Sequence, residues 1–109
     1  MRVRRHVDFE QTVREGLRVS DQRIALWARP NGRDYPRLGL IVGVKYGPAV
    51  RRNRAKRVLR EAFRLAQHEL PAGLDLICAP RVGVDLELEG CRESLLRLAG
   101  RLAARLALD

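Results

Sequence analysis

Ala49-Val50-Arg51-Arg52-Asn53-Arg54-Ala55-Lys56-Arg57-Val58-Leu59-Arg60-Glu61-Ala62-Phe63-Arg64 spells out an amphipathic helix with a strongly cationic side. Wound at about 100° per residue, Ala55, Val58, Leu59, Ala62, Phe63, Leu65 and Ala66 fall on one broad apolar arc. Arg54, Lys56, Arg57, Arg60 and Arg64, with Asn53 among them, fill the other side. Long cations often do no more than face water. Here, however, seven Lys and Arg accompany the single carboxylate Glu61, and Lys56, Arg60 and Arg64 stand four apart, where like charges repel. A polyanion converts that repulsion into attraction and adds counterion release, so one side of this helix is built for burial and the other for nucleic acid.

Upstream, Tyr46-Gly47-Pro48 separates the helix from the branched run Arg37 to Lys45, which reads as a strand. Gly39 and Gly43 within it share a strand face, where small residues either leave room for a helix or ligand backbone or mark a bulge. Pro30 to Pro36 is turn chemistry and is expected to join two antiparallel strands. The earlier strand is expected over Val19 to Arg29, with Ile24, Leu26 and Ala28 on one side and Trp27 on the other. Before it, Phe9, Val13 and Leu17 recur at spacing four, predicting a short helix from His6 to Glu15 that Gly16 stops, preceded by a basic arm, Met1 to Arg5.

Downstream, Pro71-Ala72-Gly73 closes the basic helix near His68 or Glu69, and Leu74 to Ala79 reads as a third strand with Asp75 near its incompletely buried start. Asp85 is a candidate N-cap for a last helix over roughly Leu86 to Leu108, continuous or broken at its glycines, with Cys91, Leu95, Leu98, Leu102 and Leu106 as its stripe. The order helix, strand, strand, basic helix, strand, helix predicts an α/β fold. A small sheet is covered largely on one face by helices, in a single domain spanning residues 1–109.

The chain carries 22 Lys and Arg against 13 Asp and Glu, a net charge of +9. Residues 1–64 hold 17 of the cations and 6 of the acids; residues 65–109 hold 5 and 7, so the partner surface belongs to the first two thirds. Lys occurs only at 45 and 56, and the remaining cations are Arg, whose planar fork suits phosphate oxygens. With 46% apolar residues the chain should fold rather than remain a basic tail. Cys78 and Cys91 are expected to be buried thiols in a reducing compartment, although two cysteines can pair. No apolar run suffices to span a bilayer and the start leads into no signal-peptide core, so no membrane is expected and the cytoplasm is the default location.

Nothing in the sequence assembles a hydrolytic centre. His6 and His68 stand on separate predicted elements, and Asp8 and Glu10 near His6 find no second convergent set that would supply a nucleophile or a two-metal clamp. Phe9 is either a core anchor or a platform for an unstacked nucleotide, and Asn53 either bridges to RNA or is ordinary surface. Three other classes are weighed: a structural RNA-binding protein, an autonomous endoribonuclease and a DNA-binding domain. The last is disfavoured because Leu59 and Phe63 are committed to packing.

The ordered set Arg52-Asn53-Arg54, Lys56-Arg57, Arg60-Glu61 and Phe63-Arg64 closely resembles the signature of the protein component of bacterial ribonuclease P. The resemblance extends through Asp8-Phe9, Arg37-Leu38-Gly39-Leu40, Lys45-Tyr46-Gly47, Asp75-Leu76-Ile77 and Ala79-Pro80-Arg81, nearly the whole chain. It implies a compact α/β fold with an unusual left-handed βαβ crossover, against the general handedness rule. It also implies a ribonucleoprotein whose catalytic RNA, with Mg²⁺ bound mainly by RNA, removes the 5′ leader of precursor tRNA, and no obligate protein partner. The resemblance assigns Arg52, Asn53, Arg54, Lys56, Arg57, Arg60 and Arg64 to the RNA subunit. Phe9, Val13 and Lys45, with the exposed sheet face, go to a leader-binding cleft; whether the polypeptide itself holds a metal is left open. The chain departs from the family where Val44 precedes Lys45 and where Pro48 follows Gly47, positions at which members often carry a basic residue; Arg51 is the nearby cation that could compensate.

Overall fold

The basic helix, α2 (Ala49–Ala66), buries Ala55, Leu59, Ala62, Phe63 and Ala66. Those residues join one core with the strands and with the last helix, α3 (Leu88–Arg105). Leu59 and Phe63 are nearly inaccessible and each contributes about 1.5–3 kcal/mol by removal from water. Val58 is half-buried, whereas Leu65, placed on the apolar arc by periodicity, is 41% exposed at its margin. The computed structural model describes residues 6–106, with side chains from Glu10 onward, so the expected basic arm Met1 to Arg5 lies outside the described residues.

Four strands, β1 (Leu17–Ser20), β2 (Ile24–Pro30), β3 (Arg37–Leu40) and β4 (Leu74–Pro80), form one mixed sheet in the order β1-β2-β4-β3. β2 is antiparallel to both β1 and β4, while β3 and β4 are parallel neighbours joined through α2, a βαβ unit. The Pro30–Pro36 turn therefore joins two strands that run oppositely but do not pair, because β4 inserts between them.

Where one strand was expected over Val19 to Arg29, the chain makes a hairpin, which adds a fourth strand. Its physical cause is Asp21, whose Oδ1 accepts from the backbone N–H groups of Arg23 and Ile24 at 2.8 and 2.9 Å and folds the chain back. The run Arg37 to Lys45 is likewise shorter as a strand: it ends at Leu40 and passes into a 3₁₀ turn, Val44–Tyr46, before Pro48 sets the entry to α2. Exposed Gly43 lies beyond the strand, so it does not share a strand face with buried Gly39.

The two faces of the sheet differ. Val19, Ile24, Leu26, Ala28, Leu38, Leu74, Leu76 and Cys78 point into the core beneath α2 and α3. The alternate positions carry Arg18, Ala25, Trp27, Arg29, Asp75 and Ile77, and this face receives the first helix, α1 (His6–Glu15). Arg29 Nη1 donates to Gln11 Oε1 of α1 at 2.8 Å. Gly16 stops α1 as expected and adds a close approach: a Cβ there would lie 2.4 Å from the carbonyl oxygen of Thr12 and 2.5 Å from that of Ala28. Helices thus sit on both faces, two on one and one on the other, where covering largely on one face was expected.

Asp85 does not cap α3. The N-cap position is Glu87, with no side-chain capping bond, and α3 runs unbroken through Gly90 and Gly100. The Arg23 side chain crosses Gly90: a Cβ would lie 2.5 Å from Arg23 Nε, so a larger residue there would require that side chain to shift. Buried Ser94, absent from the expected stripe, donates its hydroxyl to Asp21 Oδ2 at 2.6 Å, and Arg97 pairs with the same oxygen. Burial tends to raise the Asp21 pKa, but the Ser94 hydroxyl, the two backbone N–H groups and Arg97 together outweigh it and hold the carboxyl below its ordinary 3.8. A depressed carboxyl contributes stability above its unfolded value, and that contribution disappears as pH falls through the folded value. The stability gap between wild type and Asp21→Asn in urea titrations should therefore hold steady from pH 7 to about pH 5 and narrow progressively below. A gap that stays flat to pH 3 would remove this linkage.

Cys78 and Cys91 are both free and buried, as expected. Burial pushes the Cys78 thiol far up, with Cys91 and Asp21 adding to it. Burial also raises Cys91 to about 11, against Arg23, which lowers it. Neither thiol forms the thiolate that nucleophilic or redox chemistry needs.

Candidate nucleic-acid interface

The seven cations of α2 separate into groups. Asn53, Lys56, Arg57 and Arg60, with exposed Val50, line an open recess of about 430 Å³ on the outer side of the helix. At about 100° per residue these positions fall within an arc of about 120°, turned away from the buried arc. No carboxylate among the described residues pairs with Lys56, Arg57 or Arg60, so their charge is presented outward in full.

Of the other assigned cations, Arg54 and Arg64 are engaged within the chain and Arg52 is partly enclosed. Arg54 Nη1 donates to the Leu86 carbonyl oxygen at 3.3 Å. Arg52 is half-buried, and its Nε is enclosed without an acceptor. Arg64 grips Glu61 with two bonds of 2.9 and 2.6 Å, so its charge is offset on the surface. The hydrogen bond to Arg64 is the main reason the exposed Glu61 carboxyl is lowered. Arg51 lies 5.2 Å over the Tyr46 ring and 2.9 Å from Asp85, bracing the start of α2 against the loop before α3. Tyr46 reinforces that brace by donating its hydroxyl to the Val84 carbonyl oxygen at 2.7 Å.

Of the residues assigned to a leader cleft, Val13 is half-buried on α1, and Phe9 has a side chain outside the described residues. Lys45 is exposed on the 3₁₀ turn, at the entry to α2 rather than on a strand. Three cations on the face that carries α1 were not singled out from the sequence. Arg18 stands 5.4 Å over the Trp27 ring, Arg29 bonds to α1, and Arg81 Nη1 donates to Ser20 Oγ at 3.3 Å. Period-two alternation would have found Arg18 and Ser20 once the hairpin was recognised, because both lie opposite Val19.

A family model described as Ribonuclease P matches residues 1–103. The chain belongs to the ribonuclease P protein family. As such it is a protein subunit of ribonuclease P, the endoribonuclease holoenzyme of tRNA processing. It is 38% identical to the ribonuclease P protein component of Thermotoga maritima, with 93% of this chain and 91% of that protein covered. It is 44% identical to the component from Pseudomonas putida over 83% of this chain and 65% of that protein. Among solved structures, the RNase P protein from Thermotoga maritima superposes with a TM-score of 0.82 at 36% identity, covering 93% of this chain and 96% of that one. The Staphylococcus aureus RNase P protein superposes with a TM-score of 0.76 at 28% identity, covering 98% and 94%. The family resemblance is thereby borne out, as is the α/β architecture.

Proposed function

We propose that this ribonuclease P protein works by electrostatic positioning, with the hydrolysis carried out on the RNA subunit. The observation that carries this reading is the recess on α2, where Lys56, Arg57 and Arg60 surround Asn53 with no described carboxylate to neutralise them. Three cations spread over more than one turn cannot converge on a single phosphate; they suit a folded RNA surface whose backbone passes along the helix. The RNA subunit takes that surface. The 5′ leader of precursor tRNA takes the side of the sheet that carries α1, where Trp27 offers a stacking surface and Arg29 a nearby cation.

Mg²⁺ belongs to the RNA in this reading. Among the described residues no group of three His, Cys, Asp or Glu side chains is placed to hold a metal ion, so those residues do not fit a protein-held Mg²⁺ and no step is assigned through one. The place of work is the cytoplasm, with no obligate protein partner; no helix among the described residues is long and apolar enough to cross a membrane.

The test is cleavage of precursor tRNA at low Mg²⁺ with four mixtures: protein alone, a bacterial ribonuclease P RNA alone, both, and neither. Cleavage stimulated only when protein joins RNA is the expected result. Turnover by the protein alone would place the chemistry on the polypeptide and overturn the reading. No stimulation of a demonstrably active cognate RNA would point to another RNA-binding role.

A further inference from the structure

We infer that Asp85 is an autoinhibitory carboxylate: it occupies Arg51 in the place a backbone phosphate would take, and so withholds one cation from the RNA. This rests on the reading above that the outer side of α2 meets the RNA subunit. Three observations lead to it. First, the cations of α2 do not stop at the recess. At about 100° per residue, Arg54 stands about 40° beyond Val50, which lines the recess, and Arg51 about 60° beyond Arg54, so the charged track winds round the first turns of the helix toward the loop before α3. It ends at Asp85, 2.9 Å from Arg51. Secondly, the pair lies on the surface, with the Asp85 side chain 81% exposed and that of Arg51 37%, and Arg51 is the one partner Asp85 has among the described residues. An ion pair that wet contributes little to stability. Thirdly, Asp85 does not serve α3, because Glu87 holds the N-cap position.

Each member of the pair is positioned without the other. Arg51 lies over the Tyr46 ring, and its stem crosses Gly47, where a Cβ would lie 2.7 Å from Arg51 Cδ. On the loop, the Val84 carbonyl accepts from the Tyr46 hydroxyl and the Leu86 carbonyl from Arg54, so the residues on either side of Asp85 are tied to the entry and first turns of α2. Removing the carboxylate therefore leaves the guanidinium in place on its aromatic support, with its fork free. A carboxylate and a phosphate present similar paired oxygens to that fork, so the two compete for it directly. Were Asp85 only a brace, its loss would loosen α2 and weaken RNA binding instead.

The experiment measures Kd for the cognate ribonuclease P RNA across a salt series with wild type, Asp85→Asn, Arg51→Gln and the double variant, with thermal unfolding of each alongside. Asp85→Asn should bind about fivefold more tightly at about 0.15 M salt, with a salt slope steeper by about 0.9, one phosphate contact. The double variant should lose that gain in both affinity and slope, because the gain needs the freed guanidinium. Wild type and Asp85→Asn should melt at closely similar temperatures. A gain that survives Arg51→Gln would mean that Asp85 acts only by long-range repulsion and would overturn this inference alone. So would an Asp85→Asn protein that binds no more tightly than wild type, or one that melts well below it and so reveals a structural brace. Wild-type binding that does not weaken with salt would instead overturn the RNA reading on which the inference rests.

Discussion

Replacing Arg57 and Arg60 together with Glu is expected to weaken association with the ribonuclease P RNA on the order of 100- to 1,000-fold near physiological salt while leaving the fold intact. Both side chains are exposed and line the α2 recess, and neither has a partner among the described residues that folding would lose. Loss of two phosphate contacts alone lowers the salt slope by about two and costs roughly 30-fold at about 0.15 M salt. Reversal of sign adds repulsion of similar size. Arg54 is a poorer choice, because its bond to the Leu86 carbonyl oxygen also braces the loop before α3 and its loss would mix folding with binding. Filter binding of the RNA across a salt series checks this, with thermal unfolding as the control for folding. Wild-type affinity and slope would remove the outer side of α2 from the interface.

The basic helix was legible in the sequence because two signals coincide there: a 3.6-residue apolar period and an excess of charge opposite it. What the pattern could not supply was the state of each cation. Arg54 and Arg64 look much like Arg57 and Arg60 on a helical wheel, whereas Arg51 and Arg52 turn toward the buried arc. The state of Arg51, Arg54 and Arg64 depends on Asp85, Leu86 and Glu61, and two of those partners come from a loop more than 30 residues away in sequence. Arg51, the cation expected to compensate for the departures at Val44 and Pro48, is among those engaged within the chain.

The hairpin between β1 and β2 was missed for a different reason. Ser20 to Arg23 contains no Gly or Pro, and the reversal is made instead by a carboxylate bonding to its own backbone, which an Asp inside an apolar run signals only weakly. That oversight hid the second face of the sheet and with it Arg18. The insertion of β4 between β2 and β3 is a long-range choice; the local turn at Pro30–Pro36 is compatible with direct pairing as well. Asp75 followed the same pattern. A strand-start aspartate was expected to be partly wet, yet it is 3% exposed, because strands flank it on both sides, with Arg29 and Arg37 opposite it in the register.

Asp75→Ala should produce the largest loss of stability of any single change proposed for this chain, about 3–5 kcal/mol. Asp75 Oδ1 accepts from Arg37 Nε and Oδ2 from Arg37 Nη2, both at 2.7 Å, and Asn31 Nδ2 adds a third bond at 3.0 Å. The Arg37 side chain is only 18% exposed, so removing the carboxylate leaves a largely enclosed guanidinium without the group that grips it on two sides. A loss of that size is a large part of the roughly 5–15 kcal/mol available to a domain of this length. The damage reaches function through geometry: the pair ties β3 to β4, and β3 leads through the 3₁₀ turn into α2, whose outer side carries the RNA-facing cations. Urea unfolding should show a lower midpoint with an unchanged slope, and Arg37→Met/Asp75→Leu should recover much of the loss because no buried charge then remains. A midpoint for Asp75→Ala within about 1 kcal/mol of wild type would mean that apolar packing of β4, rather than this ion pair, holds β3 in register.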